Sequence, residues 1–486
     1  MKQQKINRYA VLGAVIFFLG TLFPYAYGAA QRSLKQLRTL VDVLEFIKEN
    51  YVETTDTDKL ISGALKGVVG ELDDFSQYLE PQDYKELKNE TKGEFGGLGM
   101  RLQKIDGFVV VMSPIPGTPA YEANIMPEDR ILAVDDKDIT DMRLDESVAL
   151  MRGAVGSKVK LSMSRKNKEG RYEPLPDITL KRATIVPEVV HLRMLDNQVG
   201  YINLVDFSGH STEEVRKAMD SLLKEGMKSL VLDLRFNPGG LLTGAVDLSK
   251  LFLPAGKMIV YTKGRKPEYY QEFKTSAAPV YGDIPMAVLV NQGSASASEI
   301  VSGALQDNGR AFIVGQRTFG KASVQQVIPL SGGAGLRLTI AKYYTPSGKL
   351  IQRDYRDKSK ADEGGIFPDV EVVVSLADEG KIFAQYNNVV YTPGQAAPEL
   401  KLTEKDPVLD RAVEILTGKI TLEDAKTQSA KEAAERKAKE EAKKAEKKNG
   451  KVEKKDDKAA EQQDEKAAEK KNPDAAEKQD AKADGK

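Results

Sequence analysis

The spacing of apolar residues changes from segment to segment along the chain. Between Arg8 and Arg32 no charge interrupts an apolar run, AVLGAVIFFLGTLFPYAYGAA, preceded by Lys2, Lys5 and Arg8. From Ser33 to Leu87 apolar positions recur every three or four residues: Leu34, Leu37, Leu40, Val41, Leu44 and Ile47, then Ile61, Leu65 and Val68. That period predicts helices. From Thr91 to Arg182 the runs are short and broken by glycine, with alternation at Met100-Arg-Leu-Gln, an apolar stretch at Val109–Met112 and a helical stretch at Leu144–Met151. From Ala183 onward continuous apolar strands alternate with helices. The strands are Val199–Leu204, Ser229–Arg235 and Pro285–Asn291; the helices are Thr212–Leu223, Leu241–Leu251 and Ser298–Leu305. Such alternation predicts an α/β sheet buried on both faces. Strands Ser323–Pro329 and Leu336–Tyr344 follow, and Leu409–Leu422 has the spacing of one more short helix.

These changes divide the chain into a basic-then-apolar signal peptide or signal anchor at 1–32, a helical segment at 33–90, a glycine-punctuated domain at 91–182, an α/β core at 183–400, a short helical extension at 401–425 and a tail at 426–486. The first segment predicts export, with the body of the protein periplasmic or otherwise extracytoplasmic. If uncleaved, the segment anchors it in the inner (cytoplasmic) membrane with the basic end inside. In the tail Val452 is the sole larger aliphatic residue amid Lys, Glu, Ala, Asp and Gln, a composition that predicts disorder, or in part a solvated single helix held by Glu–Lys pairs. The charge is balanced, with 72 basic and 72 acidic residues, which gives no ground for nucleic-acid binding. No cysteine is present and the two histidines are far apart, so neither a disulfide framework nor a metal site is expected, and no cofactor is called for.

Candidate chemistry gathers where the strand Pro285–Asn291 breaks at Asn291-Gln292-Gly293 and a helix starts. A serine at a sharp strand-to-helix turn stands clear of the sheet, and the amides that follow are the unpaired donors of a helix N-terminus. Of Ser294, Ser296 and Ser298, we take Ser296 as the nucleophile. Both histidines lie far upstream, so the base is sought among lysines, which serve when burial leaves some amine neutral. Lys321, 25 residues after Ser296 and flanked by Gly320 and Ala322, fits. Phe236-Asn-Pro-Gly-Gly240 is a second strand-to-helix turn, read on its own as a tight turn requiring positive φ. Asp233 and Arg235 before it read as a structural ion pair, and Glu299 as a helix-dipole or capping charge.

SASASE followed by TFGKASVQ resembles the C-terminal processing peptidases, or tail-specific proteases, over about Lys35 to Val374. The resemblance implies a multidomain α+β and α/β protein: N-terminal helices, a PDZ domain and a serine peptidase core of the crotonase/ClpP-like kind. It implies that Ser296 and Lys321 form a catalytic dyad and that Gln325 positions the lysine. It also implies an oxyanion hole from the amide of Ala297 together with that of Gly239 or Gly240, a choice the sequence leaves open. In the PDZ domain, Gly96, Gly97, Leu98 and Gly99 would cradle a peptide's terminal carboxylate beside an edge strand. Arg152, just past the groove helix, reads as a helix-terminal charge or as a sensor of groove occupancy that switches a salt bridge.

The expected function is a serine endopeptidase that recognises protein C-terminal tails and cleaves near them through an acyl-enzyme, on exported proteins. Expected partners are those C-termini, a second copy joined through the N-terminal helices, and an activating adaptor. Two other classes compete: a non-catalytic PDZ scaffold, and a crotonase-like acyl-transfer enzyme. Intact Ser296, Lys321 and Gln325 argue against the scaffold, and a peptide-binding domain argues against the acyl transferase.

Overall fold

A computed structural model describes residues 37–354, 360, 363–387, 391–395 and 404–439, which divide into two units: residues 37–87 with 324–340, and 88–323 with those described from 341 on. The expected signal or anchor at 1–32 and the end of the tail lie outside the described residues. Among the described residues no helix is long and apolar enough to cross a membrane.

In the first unit residues 37–50 are helical, and a second helix, Thr57–Gly70, is capped by Asp56, whose carboxylate accepts the amides of Asp58 and Lys59 at 3.0 and 3.3 Å. The Asp73–Leu79 segment then binds the hairpin of residues 324–340. Gln77–Leu79 pairs antiparallel with the chain, Gln77 opposite Arg337 and Leu79 opposite Gly335. Asp73 Oδ1 accepts from the amides of Phe75 and Ser76 and from Thr339 Oγ1. The apolar side chains of Leu37, Leu40, Val41, Phe46, Ile61, Leu65 and Val68 stay exposed.

The second unit opens with the glycine-punctuated domain. Its sheet runs Met100–Ile105, Phe108–Pro114, Arg130–Val134, Lys158–Lys166, with Met100–Ile105 at the edge. Val109, Val111, Ile131, Leu161 and Ile125 close the core beneath it, joined by Met151 from the helix Leu144–Met151. Phe95–Gly97 pairs with Ala183–Ile185, so both ends of the domain meet in one small ladder.

The α/β core is a six-stranded sheet ordered Val190–Leu195, Val199–Leu204, Ser229–Asp233, Met286–Val290, Phe312–Gly315, Val370–Glu371, parallel except for its first strand. Its central strands are buried throughout, which is why they read as unbroken apolar runs. Tyr201, Val231, Leu289 and Val314 share one hydrophobic cluster with Val408, Leu409 and Ala412 of the helix Pro407–Leu416. That helix, expected as an appendage, is therefore part of the core.

A second correction follows at the C-terminus. Helical structure runs through 422–439, so the tail expected from 426 begins no earlier than 440. The reason is packing by small residues: Ala425 and Ser429 are buried. Ser429 Oγ bonds both the amide and the carbonyl of Glu371, at 2.7 and 3.1 Å, and Arg436 pairs with the Glu371 carboxylate. A count of large aliphatic residues does not see such a face.

Candidate active site

The strand Met286–Val290 ends at Asn291, whose side chain shapes the turn: its Oδ1 accepts from Gly293 N at 3.0 Å and from Phe236 N at 2.9 Å. The three serines then separate by role. Ser294 Oγ donates to Leu234 O at 2.7 Å and Ser298 Oγ to Asn237 O at 2.9 Å, and both serines are wholly buried. They fasten this turn to the Phe236–Gly240 turn. Ser296 is half-exposed, with φ +52° and ψ −111°, and the helix Ala297–Asp307 starts immediately after it. A non-glycine residue in that region costs about 1–3 kcal/mol and persists only where its surroundings impose it.

The imposing group is Glu299. Its Oε2 accepts from Ser296 N at 2.8 Å and Lys321 N at 2.9 Å, and its Oε1 from Gly320 N at 2.7 Å and Thr318 Oγ1 at 2.5 Å. One buried carboxylate thus holds the backbone of both expected catalytic residues. Burial pushes its pKa up to about 7 against the pull of the four donors. Tyr343, also buried, adds a second tie: its Oη bonds Ser296 O at 3.0 Å and also meets Lys321 O. Desolvation, with the Glu299 charge, holds this phenol well above its ordinary range, so it remains a donor. Glu299 caps the helix through Ser296 N, as read from sequence, but its bonds to Thr318, Gly320 and Lys321 were not foreseen, and Tyr343 was not singled out.

The Phe236–Gly240 turn lies directly against the serine. A Cβ added to Gly239, at φ +98°, would stand 2.7 Å from Ser296 Cβ and 2.8 Å from Ala297 N, so only glycine allows this approach. Gly239 N donates to Asn237 Oδ1 at 2.9 Å, so a role for it at an oxyanion requires that bond to be released. Asp233 and Arg235 form the expected ion pair, joined by two partners that sequence did not suggest. Tyr201 Oη donates to Asp233 Oδ2 at 2.8 Å, and Asp406 takes the other edge of the guanidinium. Gln325 belongs to the first unit, where its Nε2 donates to Phe75 O at 2.5 Å. His210 Nε2 lies 3.2 Å from Glu94 Oε1, and His191 sits on the outer strand of the sheet.

In the glycine-punctuated domain, Ala120 N bonds Leu98 O, and Ile115 N and Thr118 Oγ1 bond Gly99 O, each at 2.9 Å. In planar trans peptides the following N–H groups, of Gly99 and Met100, point the opposite way. Gly96 and Gly99 (φ +78°) are required by close contacts: a Cβ would fall 2.0 Å from Gly153 O and 2.3 Å from Thr118 Cβ respectively. The loop leads directly into the edge strand Met100–Ile105, and Gly153, just past the helix Leu144–Met151, bonds back to it through Gly153 N and Gly96 O at 3.0 Å. Arg152 caps the C-terminal end of the helix Leu144–Met151, in keeping with its reading as a helix-terminal charge, and sets its guanidinium 4.6 Å over the Phe95 ring. Arg182, unmarked in the sequence reading, donates to Leu150 O, Met151 O and Lys158 O, pinning the groove helix by its last turn. Among the described residues no cluster of three or more His, Asp or Glu side chains is placed to hold a metal ion.

Residues 198–372 match Peptidase family S41, residues 96–173 match a PDZ domain, and residues 25–83 match the activating protease CtpB N-terminal domain. The chain is 39% identical over 355 residues to a carboxy-terminal-processing protease of Bartonella bacilliformis, covering 72% of this chain and 78% of that protein. It is 36% identical over 365 residues to the carboxy-terminal processing protease CtpA of Bacillus subtilis, covering 74% of each. Among solved structures, a photosystem II D1 C-terminal processing protease aligns at 27% identity and a TM-score of 0.39, over 68% of this chain and 92% of its own. The chain belongs to Peptidase family S41, as a carboxy-terminal processing serine protease with a PDZ domain.

Proposed function

We propose that this protease acts through a Ser296–Lys321 dyad on protein C-terminal tails delivered by its PDZ groove. The observation that carries the reading is the shared Glu299 carboxylate, which fixes the backbone of Ser296 and Lys321 from one point. The neutral Lys321 amine takes the Ser296 hydroxyl proton as Oγ attacks the peptide carbonyl carbon. The carbonyl oxygen, now negative, is received by Ala297 N–H and by an amide of the Gly239–Gly240 pair. Collapse expels the leaving amine, which takes the proton from Lys321, and leaves an ester on Ser296. Water, giving its proton to Lys321, then releases the new C-terminus and restores the serine.

The glycine loop's outward amides receive the terminal carboxylate, and the edge strand pairs with the residues before it. The substrates are exported proteins, the enzyme works outside the cytoplasm, and an adaptor that engages the first unit switches it on. A second copy binds through the exposed stripe of the N-terminal helices.

The test uses an unstructured protein with an apolar C-terminus, incubated with wild type, Ser296→Ala and Lys321→Ala, and fragments read by mass spectrometry. Each variant is expected to lose more than about 1,000-fold in kcat. Capping the substrate's terminal carboxylate is expected to raise KM. Cleavage by both variants at the wild-type rate would remove the dyad.

A further inference from the structure

The matched peptidase segment ends at residue 372, yet a residue beyond it reaches the back of the catalytic turn. Asp406 is buried at the start of the helix Pro407–Leu416. Its Oδ1 caps that helix, accepting from Val408 N at 3.2 Å and Leu409 N at 3.1 Å. The same carboxylate grips Arg235 along one edge, with Nη1 to Oδ1 at 2.9 Å and Nη2 to Oδ2 at 2.6 Å. Asp233 holds the other edge through Nε and Nη2. A planar guanidinium clamped on both edges has no rotational freedom left, and the backbone attached to it is fixed with it.

That backbone runs straight into the turn. Phe236 (φ +58°) follows Arg235, then Asn237, Pro238, Gly239 and Gly240. The two glycines have no side chains to anchor them: main-chain bonds to Phe207, from Phe207 N to Gly239 O and from Leu241 N to Phe207 O, hold the far end of the turn, and Arg235 holds the near end. Ser294 Oγ on Leu234 O, Ala295 N on Asn237 O and Ser298 Oγ on Asn237 O lock it to the nucleophile turn. Gly239 is packed on Ser296 with no slack. Any shift at Arg235 is therefore delivered to the gap between serine and oxyanion donors, where displacements of about 1 Å cost about 100-fold in rate. The neighbouring helix, Leu376–Asn387, reaches the same turn: Glu379 Oε1 accepts from Asn291 Nδ2 at 3.3 Å, and Asn291 Oδ1 holds Phe236 N.

We propose that Asp406 is a positioning residue for catalysis: by clamping Arg235 it sets the Phe236–Gly240 turn against Ser296, which makes the C-terminal helix a working part of the active site. This rests on the reading of Ser296 and that turn as the catalytic pair.

The full-length protein is compared as wild type, Asp406→Asn, Arg235→Lys and Ser296→Ala. Asparagine keeps the helix-capping oxygen and the volume but loses the charge; lysine keeps the buried charge but not the fork. For both Asp406→Asn and Arg235→Lys, kcat per folded molecule is expected to fall about tenfold while KM stays within about twofold, a loss confined to the transition state. Phosphonylation of Ser296 by a fluorophosphonate should slow in parallel, and the affinity for a free C-terminal peptide should not change. If Asp406→Asn yields too little folded protein, Arg235→Lys is read by the same criteria. A merely structural role would reduce the folded fraction and leave kcat per folded molecule at the wild-type value, which overturns the proposal. So would a KM that rises as much as kcat falls. Active Asp406→Asn beside inactive Ser296→Ala overturns this inference alone, whereas an active Ser296→Ala overturns the catalytic reading beneath it.

Discussion

At the residue scale the site turns on how a strained serine is held. Ser296 sits at φ +52°, and its amide is fixed by Glu299 Oε2, the oxygen that also fixes Lys321 N. The carboxylate form accepts four donors, and a proton on either oxygen displaces one of them. Glu299→Gln should therefore cost more than its shape suggests, because the amide NH₂ must face either Ser296 N–H and Lys321 N–H or Gly320 N–H and the Thr318 hydroxyl, and loses at least one N–H donor in either orientation. We expect kcat to fall at least about 100-fold. The wild type carries a matching pH signature. The folded-state pKa of about 7 lies above the ordinary 4.5, so folding binds this proton more tightly. The stability contributed by Glu299 is whole below about 4.5 and is lost as pH rises through about 7, a change on the order of 3 kcal/mol. Activity moves the other way, since the deprotonated form is the one that holds both turns. Tyr343 stays protonated across this window. Urea midpoints and kcat, both followed from about pH 5 to about pH 8, should run in opposite directions. A parallel rise of the two would sink the assignment.

At the element scale, much of the architecture was legible, and the gaps have physical causes. The strand Val199–Leu204 and the strand inside Pro285–Asn291 could be read because a parallel strand buried on both faces is an unbroken apolar run. The groove helix Leu144–Met151 was legible from its spacing, but what fixes it was not. Arg182 acts on main-chain carbonyls about thirty residues earlier, and a carbonyl leaves no mark in a sequence. The tie of Asp406 to Arg235 was hidden for a related reason: 171 positions separate two residues whose types only say that each wants a partner. The packing of the helix 422–439 was missed because it is made through alanine and serine. The Arg182 clamp carries a prediction of its own. Arg182→Met frees the last turn of the groove helix while keeping an apolar stem in place. The dissociation constant for a free C-terminal peptide should weaken about fivefold and KM should follow, with kcat at saturation unchanged. Isothermal titration beside steady-state kinetics decides it: a fall in kcat with undiminished peptide binding would mean that Arg182 serves the core and not the groove.

At the scale of the whole molecule the unanswered feature is the apolar surface of the first unit. Leu37, Leu40 and Val41 lie on one side of the helix at 37–50, with Leu44 following at the same spacing, and all but Leu44 are exposed. In the same unit Val68 is 67% and Leu72 58% exposed, on and just after the helix Thr57–Gly70. Scattered exposed leucines need no explanation, but a stripe at helical spacing over two successive helices is costly to leave in water. This unit buries few of its own apolar residues, Val69, Leu79 and Tyr84 among them, so a helix pair with so little core gains most from another copy of itself. The second copy proposed above then makes a definite demand. Sedimentation equilibrium of the wild type should give a dimer at micromolar concentration, and Leu40→Glu with Val41→Glu, which sets two charges into the stripe, should give a monomer. Burying a carboxylate without a partner is far costlier than the loss of either side chain's apolar contact, so the effect is expected to exceed 100-fold in dimer affinity. Both residues lie outside the catalytic unit, so the monomeric variant also shows whether Ser296 works within one chain. A dimer that survives both charges would place the contact elsewhere on the molecule and leave the stripe for the adaptor.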